Sequence, residues 1–172
     1  MAIVVTPGSA SAVAYGSASD ADAYFSARGI TGWTGTDAVK EAALVRGCDY
    51  LERAYRGKWS GLRTNSTQAL SWPRSGVVDV DGLAVDNDTI PAAIERANFE
   101  AALLVLGGTD LEPVIDPAGG IKREKVTAGP VSSETEYGAQ AGLRAKITAI
   151  DGLLVDFLSE TASGGSVPLL RV

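Results

Sequence analysis

Four aspartates crowd one short stretch, Asp79, Asp81, Asp86 and Asp88, and closely spaced carboxylates of this kind are the raw material of a calcium loop. The helix-loop-helix calcium site needs glycine at its sixth position and glutamate at its twelfth, and counting from Asp79 puts Ala84 and Ile90 there. Turn residues plus a helix cap explain these aspartates more simply, so no metal ligand is assigned. A second constellation lies just upstream, where Arg53, Arg56, Lys58, Arg63 and Arg74 face only Glu52, with Trp59 and Trp72 interleaved. Single strands are held by bases stacking on rings while cations track phosphates, so nucleic-acid chemistry would sit here if anywhere. The competing reading is core tryptophan beside solvated charges at a helix end, or charges that meet an acidic neighbouring subunit.

Other chemistries lack their residues. With no histidine in 172 residues, Ser/His/Asp and Cys/His catalysis, histidine metal sites and imidazole switches are excluded. Cys48 can form neither an internal disulfide nor a four-thiolate zinc site, and it lies in an apolar stripe where it reads as a small buried hydrophobe. No Gly-x-Gly-x-x-Gly opens a helix after a strand, and no Gly-Lys-Ser/Thr phosphate loop occurs. Carboxylate pairs are too common in an acidic helical chain to signal a glycosidase. No enzyme, catalytic residue or cofactor is expected.

The elements that must position these residues follow from period and punctuation. Ser19 reads as an N-cap with Asp20 and Asp22 in the first turn and Gly29 as the stop, giving a short helix that buries Tyr24 and Phe25. Thr36 caps a longer helix from Asp37 to about Arg56. In it Leu44, Cys48, Leu51 and Tyr55 form one stripe with Val39 and Ala43 beside them, and Lys40, Glu41, Asp49, Glu52 and Arg53 face away. Pro73 stops any helical turn at Trp72. Asp81-Gly82 between Val77–Val80 and Leu83–Val85 predicts a hairpin on a type I′ turn. Asp88 or Thr89 caps a third helix with Pro91 in its first turn, and the pattern from Ile90 to Leu106 is apolar nearly all round. A second hairpin pairs Ile121–Thr127 with Val131–Tyr137, setting Lys122, Arg123 and Lys125 opposite Glu134 and Glu136. Ile150 to Leu158 reads as a last short helix.

The fold class is therefore mainly α: a small helical bundle around a central buried helix (about 90–106), with one or two β-hairpins (about 77–86 and 121–137) and an extended C-terminal arm. Leu44, Cys48, Leu51, Trp72, Ile94, Ala101 and Leu104 are the expected core. Residues 1–18 read as an extended lead-in, 19–160 as one domain and 161–172 as a flexible arm. Six linker residues there span up to about 20 Å when extended and lead to Val167, Leu169, Leu170 and Val172, which suit an anchor in a partner's groove. No apolar run approaches the ~20 residues of a bilayer span. The N-terminus lacks a signal-peptide core and is expected to be retained on a soluble protein. With 15 Lys+Arg against 21 Asp+Glu, wrapping of nucleic acid by phosphate neutralisation is disfavoured. The excess is uneven: a basic block over 52–74 precedes an acidic one over 76–118, where nine carboxylates face only Arg96.

Several motifs taken together carry a resemblance. Ser19-Asp-Ala-Asp-Ala-Tyr24-Phe25-Ser-Ala-Arg-Gly29, Trp33, Glu41-Ala-Ala-Leu44 and Asp49-Tyr-Leu51 open it. Gln68-Ala-Leu-Ser-Trp72-Pro73-Arg74-Ser-Gly76, Asp81-Gly82, Ile90-Pro91-Ala-Ala-Ile94 and Glu100-Ala-Ala-Leu103 form its middle, and Val126-Thr-Ala-Gly129-Pro130-Val131 with Tyr137 its end. Over residues 15 to 158 the chain resembles the head–tail connector (adaptor) family of tailed bacteriophages. Similar sequences are also labelled putative single-stranded-DNA-binding proteins like the primosomal protein DnaT.

The resemblance implies a virion protein of the neck, made in the host cytoplasm and assembled as a twelve-membered ring. Its implied partners are the portal protein and tail-side neck proteins, with double-stranded DNA passing through the channel without specific binding and no membrane. A head-to-tail ring needs different faces in contact, and the basic and acidic blocks are the expected complementary sides. Arg53, Arg56, Lys58, Arg63, Arg74, Lys122, Arg123, Lys125 and the apolar arm residues Val167, Leu169, Leu170 and Val172 are the expected subunit or partner contacts. The alternative is single-stranded-DNA binding through the basic, tryptophan-bearing segment.

Overall fold

The first helix, α1 (Ala18–Ser26), begins at a capping box two residues earlier than its acidic turn suggests. Ser17 Oγ accepts from the Asp20 amide at 3.2 Å while the Asp20 carboxylate accepts from the Ser17 amide, so two orphan donors are met at once, and Ser17 rather than Ser19 is the N-cap. Gly29, at φ +64°, closes it in a Schellman motif with bonds from Gly29 N to Ser26 O and from Ile30 N to Phe25 O. The structure, a computed structural model, describes residues 3–112, 124–128, 131–135 and 147–159. Phe25 is fully buried, but Tyr24 is only half-buried, its hydroxyl donating to Glu100 at 2.9 Å.

Thr36 caps α2 (Asp37–Tyr55) through its side-chain oxygen, and Leu44, Cys48, Leu51 and Tyr55 line its buried face with Ala43 and Gly47. Val39 is not part of that face; at 49% exposure it looks into solvent, on the side of the helix that carries Ala42 and Arg46. The two-residue strands β1 (Leu62–Arg63) and β2 (Arg74–Ser75) pair antiparallel, Leu62 opposite Ser75 and Arg63 opposite Arg74.

Beyond β2 the expected hairpin over 77–86 shrinks to a loop with a single bridge, Val78 to Ala84. A type I′ turn needs positive φ at both central residues, and here only Gly82 has it. The loop instead closes with Gly82 N on Asp79 O at 3.0 Å and Asp79 N on Leu83 O at 2.9 Å, a three-residue connection whose glycine takes the left-handed position. Asp79 Oδ1 then holds the amides of Asp81 and Leu83, which gives that carboxylate its turn role.

The third helix, α3 (Ala92–Leu106), follows Pro91, which stands at the cap position itself, so neither Asp88 nor Thr89 caps it. Ile94, Ala97, Asn98, Phe99, Ala101 and Ala102 are buried. Leu104 differs from the expected core: it is half-buried, as are Leu103 and Leu106 beside it at the C-terminal end of α3. Helix α3 packs against α2, and the contact is close at Gly47, where a Cβ would lie 2.9 Å from the Ala102 amide nitrogen and 3.1 Å from the Asn98 carbonyl.

The hairpin of β3 (Glu124–Ala128) and β4 (Val131–Thr135) is antiparallel with Lys125 opposite Glu134. Then come α4 (Thr148–Leu154), packed on α3, and one 3-10 turn, Val155–Phe157. The chain divides into two units, Met1–Leu111 with Thr148–Val172, and Glu112–Ile147, so the single domain expected over 19–160 contributes residues to both. The first unit is a mainly helical bundle in which α2 and α3 are flanked by α1 and α4. The residues before α1 belong to its core: Ala14 and Tyr15 are buried, and the Tyr15 amide donates to Asn98 Oδ1 at 3.0 Å.

Asn98, fully buried, joins three segments, since its Nδ2 also donates to the Leu44 carbonyl at 2.9 Å. Replacement by alanine would leave the Tyr15 N–H without its acceptor and open a small void. Asn98→Ala is expected to lower the unfolding free energy by about 3 kcal/mol in a urea titration, and a loss under about 0.5 kcal/mol, the size of a surface change, would contradict this.

Candidate functional site

The segment that mixes bases with tryptophans is a loop, residues 56 to 77, anchored on α2 and interrupted only by β1 and β2. A loop carries unpaired backbone carbonyls, which must find donors when it is buried. Arg74 supplies several. Its Nε donates to Ser60 O at 2.6 Å, one terminal nitrogen to Gly61 O at 2.6 Å and the other to Ser71 O at 3.2 Å. The Arg63 guanidinium donates to Gln68 O. Gln68, itself buried, accepts from the Asn65 amide at 2.8 Å and donates to Leu70 O and Pro73 O. Burial lowers the Arg74 pKa, offset by the nearby Tyr15 and Glu52; an arginine stays charged under such a shift.

Both tryptophans point inward. Trp72, which precedes a cis peptide bond to Pro73, is 1% exposed and Trp59 is 5% exposed. Tyr55, Trp59, Trp72 and Phe157 make a continuous aromatic row with centroid spacings of 5.7, 5.9 and 5.6 Å, the last two edge-to-face. The chain returns to this row after α4: Ser60 N donates to Phe157 O and Ser159 N to Lys58 O, so residues 58–60 and 157–159 clamp each other.

Glu52 locks the loop to α2. The expected outward-facing glutamate is half-buried and accepts from the Tyr15 hydroxyl, from Ser71 N at 3.0 Å and from Ser71 Oγ at 2.7 Å. Burial, then the charge of Glu52, pushes the Tyr15 hydroxyl pKa well above its usual range. Burial and the same carboxylate push the Cys48 thiol up, so this fully buried cysteine is an inert core group. Tyr55 is likewise raised, by burial and by its hydrogen bond to Asp151 at 2.5 Å.

Of the expected contact residues, Arg53, Arg56 and Lys58 lie exposed at the end of α2 and just past it. Arg53 Nε donates to Asp49 O at 3.1 Å, and the Lys58 ammonium sits 5.4 Å from the Tyr55 ring centre. Arg63 is exposed as well, with its guanidinium bonded to the loop, and Arg74 is half-buried there. Lys125 stands in β3 at the register position opposite Glu134; Lys122, Arg123, Val167, Leu169, Leu170 and Val172 lie outside the described residues. Of the expected core, Leu44, Cys48, Leu51, Trp72, Ile94 and Ala101 are buried. Among the described residues no three His, Cys, Asp or Glu side chains group so as to hold a metal ion, and no helix is long and apolar enough to cross a membrane.

One groove escapes sequence reading. A cavity of about 420 Å³ beside α1 is lined by Asp22, Phe25, Ile30, Trp33 and Lys40 among others. Asp22 Oδ1 accepts from Trp33 Nε1 at 2.6 Å and from Lys40 Nζ at 2.7 Å, and the lysine bond holds its carboxyl below the usual range. These groups satisfy one another, so the groove offers a ligand little unpaired charge.

A family model described as "Putative DnaT-like ssDNA binding protein" matches residues 1–172, and the chain belongs to that family. No curated protein and no solved structure matches the chain.

Trp33, Trp59 and Trp72 are all buried. Their emission is therefore expected to resist iodide, with a Stern–Volmer slope several-fold below that of free tryptophan. A slope equal to the free amino acid would show that these rings face solvent.

Proposed function

We propose that this member of the DnaT-like family is a structural adaptor of a tailed-phage virion, a subunit of a twelve-membered neck ring. The ring would bridge the portal protein and tail-side neck proteins and pass double-stranded DNA without binding it specifically. The observation that carries the reading is the inward folding of the segment best suited to nucleic acid. Base stacking needs exposed rings and phosphate tracking needs exposed cations. Trp59 and Trp72 are buried, and the guanidiniums of Arg63 and Arg74 are bound to loop carbonyls.

What remains outside suits a wall better than a binding groove. Asp81, Asp86 and Asp88 are exposed, and carboxylates repel phosphates, so this loop offers a nucleic acid no track. The motifs running from Ser19 to Tyr137 that resemble connectors supply the partners, the portal on one side and tail-side neck proteins on the other. A mechanical role also fits a buried polar loop of this kind, because Arg74 and Glu52 tie loop, helix and N-terminal segment into one body. The family's description favours a second reading, single-strand binding, for which Arg53, Arg56, Lys58 and Arg63 are the exposed cations of the segment.

Two measurements separate the readings. The purified chain is expected to be captured by portal-bearing heads and to add a ring of density at the neck. In anisotropy titrations with single-stranded DNA at low and moderate salt it is expected to give no saturable rise. Saturable, salt-sensitive binding that Arg56→Ala abolishes, together with no capture by heads, would replace the adaptor with the strand binder.

A further inference from the structure

The surface of the first unit carries two features of opposite character. One is the loop from Val77 to Asp88. Only Val77 turns inward; Val78, Val80 and Leu83 stand 53%, 72% and 66% exposed, and Leu62, in the strand that approaches this loop through Gly61 and Thr64, is 75% exposed. The same loop bears four aspartates and no base. Asp79 serves the turn, while Asp81, Asp86 and Asp88 are exposed and make no ion pair among the described residues. Apolar side chains held out on a tight turn, ringed by carboxylates, form a surface that lacks its counterpart.

The other feature is the outer face of α2. Val39, Ala42, Arg46, Asp49 and Arg53 recur at intervals of three and four, all exposed, on the side away from Leu44, Cys48 and Leu51, and exposed Arg56 and Lys58 follow just past the helix end. Arginine and lysine stems cover apolar surface while their heads reach carboxylates, so this face matches the loop in both respects.

We propose that the two features meet between copies of the chain, the Val77–Asp88 loop of one copy docking on the α2 face of the next. Val80 and Leu83 pack on the arginine stems, and Asp81 and Asp86 sit beside Arg46, Arg56 and Lys58. The surfaces differ, so the contact is heterologous: each copy keeps one free loop and one free face, and the assembly grows until it closes. The proposal deepens the adaptor reading and rests on it only for closure into a ring. Exposed charge pairs are individually weak and screened by salt, so assembly depends on concentration and ionic strength.

The test uses the full chain with Val80→Cys and Arg56→Cys together and a short bis-maleimide. Both positions are exposed, and native Cys48, fully buried, stays silent. The double variant is expected to give a ladder beyond dimer, the two single variants to cross-link only when mixed, and 1 M salt, where the Debye length falls to about 3 Å, to suppress both. D81K with D86K is expected to lower the yield several-fold, and R46E with K58E on the same chain to restore it. Dimers from either single variant alone, or no ladder from the double variant in concentrated solution and on heads, would overturn the interface. Capture by portal-bearing heads without a ladder removes this interface and leaves the adaptor reading; a ladder without capture removes the adaptor reading and leaves the interface.

Discussion

The close approach of α2 and α3 at Gly47 is the contact on which the remainder rests. Without a side chain there, the α3 backbone reaches within van der Waals distance of α2, and Asn98 comes near enough to bond Leu44 O. The other end of that amide fixes Tyr15 N, which draws the segment before α1 into the core. Tyr15 then meets Glu52, and Glu52 meets Ser71. One helix–helix distance thus propagates through three polar side chains to the loop that carries Trp72 and Arg74. Each step buries a polar group, which is tolerable because each group is bonded: a carboxylate leaving water is costly alone and acceptable with three donors.

Arg74 answers a problem set by the loop itself. Residues 56 to 77 contain little regular structure, yet they pack around two buried tryptophans, so their carbonyls cannot all reach water. A guanidinium offers five donors in a fixed plane, and Arg74 uses three of its nitrogens on Ser60, Gly61 and Ser71. Lysine, with one charged point, could not span these acceptors. The same residue types that make a single-strand groove therefore also make a structural knot, and burial of the rings distinguishes the two.

That ambiguity explains what was legible in the chain and what was not. Helix α2 and the end of α3 were readable because Thr36, Gly57 and Gly107-Gly108 act locally, and the buried stripe of α2 repeats at helical spacing. The β3–β4 hairpin was readable from two β-prone runs around Gly129-Pro130. Failures have two sources, a competing local hydrogen bond and a partner distant in the chain. Ser17 beat Ser19 because the box closes on Asp20, a local reason that first-turn acidity obscured. Asp81-Gly82 missed type I′ because Asp79 offered its carboxylate to the turn. Glu52, Asn98, Arg63 and Arg74 carry no periodic signal; their roles depend on carbonyls and hydroxyls brought close only by the fold.

Binding the Arg63 and Arg74 guanidiniums to loop carbonyls also changes the meaning of the charge pattern. In the sequence the basic block spans 52–74 with five cations, broad enough to suggest a nucleic-acid track. In the fold Arg74 is half-buried while Arg53, Arg56, Lys58 and Arg63 stay exposed, and the acidic loop stays outside. A broad basic field attracts any polyanion. A compact basic face and a separate acidic, apolar-tipped loop give direction instead, since each repels its own kind and accepts the other. Segregation of this sort costs little stability, because exposed charges contribute little to folding, and it specifies orientation between neighbours. Arg74 thus serves two ends with one geometry: it holds the loop closed, and it draws one cation of the basic block partly away from solvent.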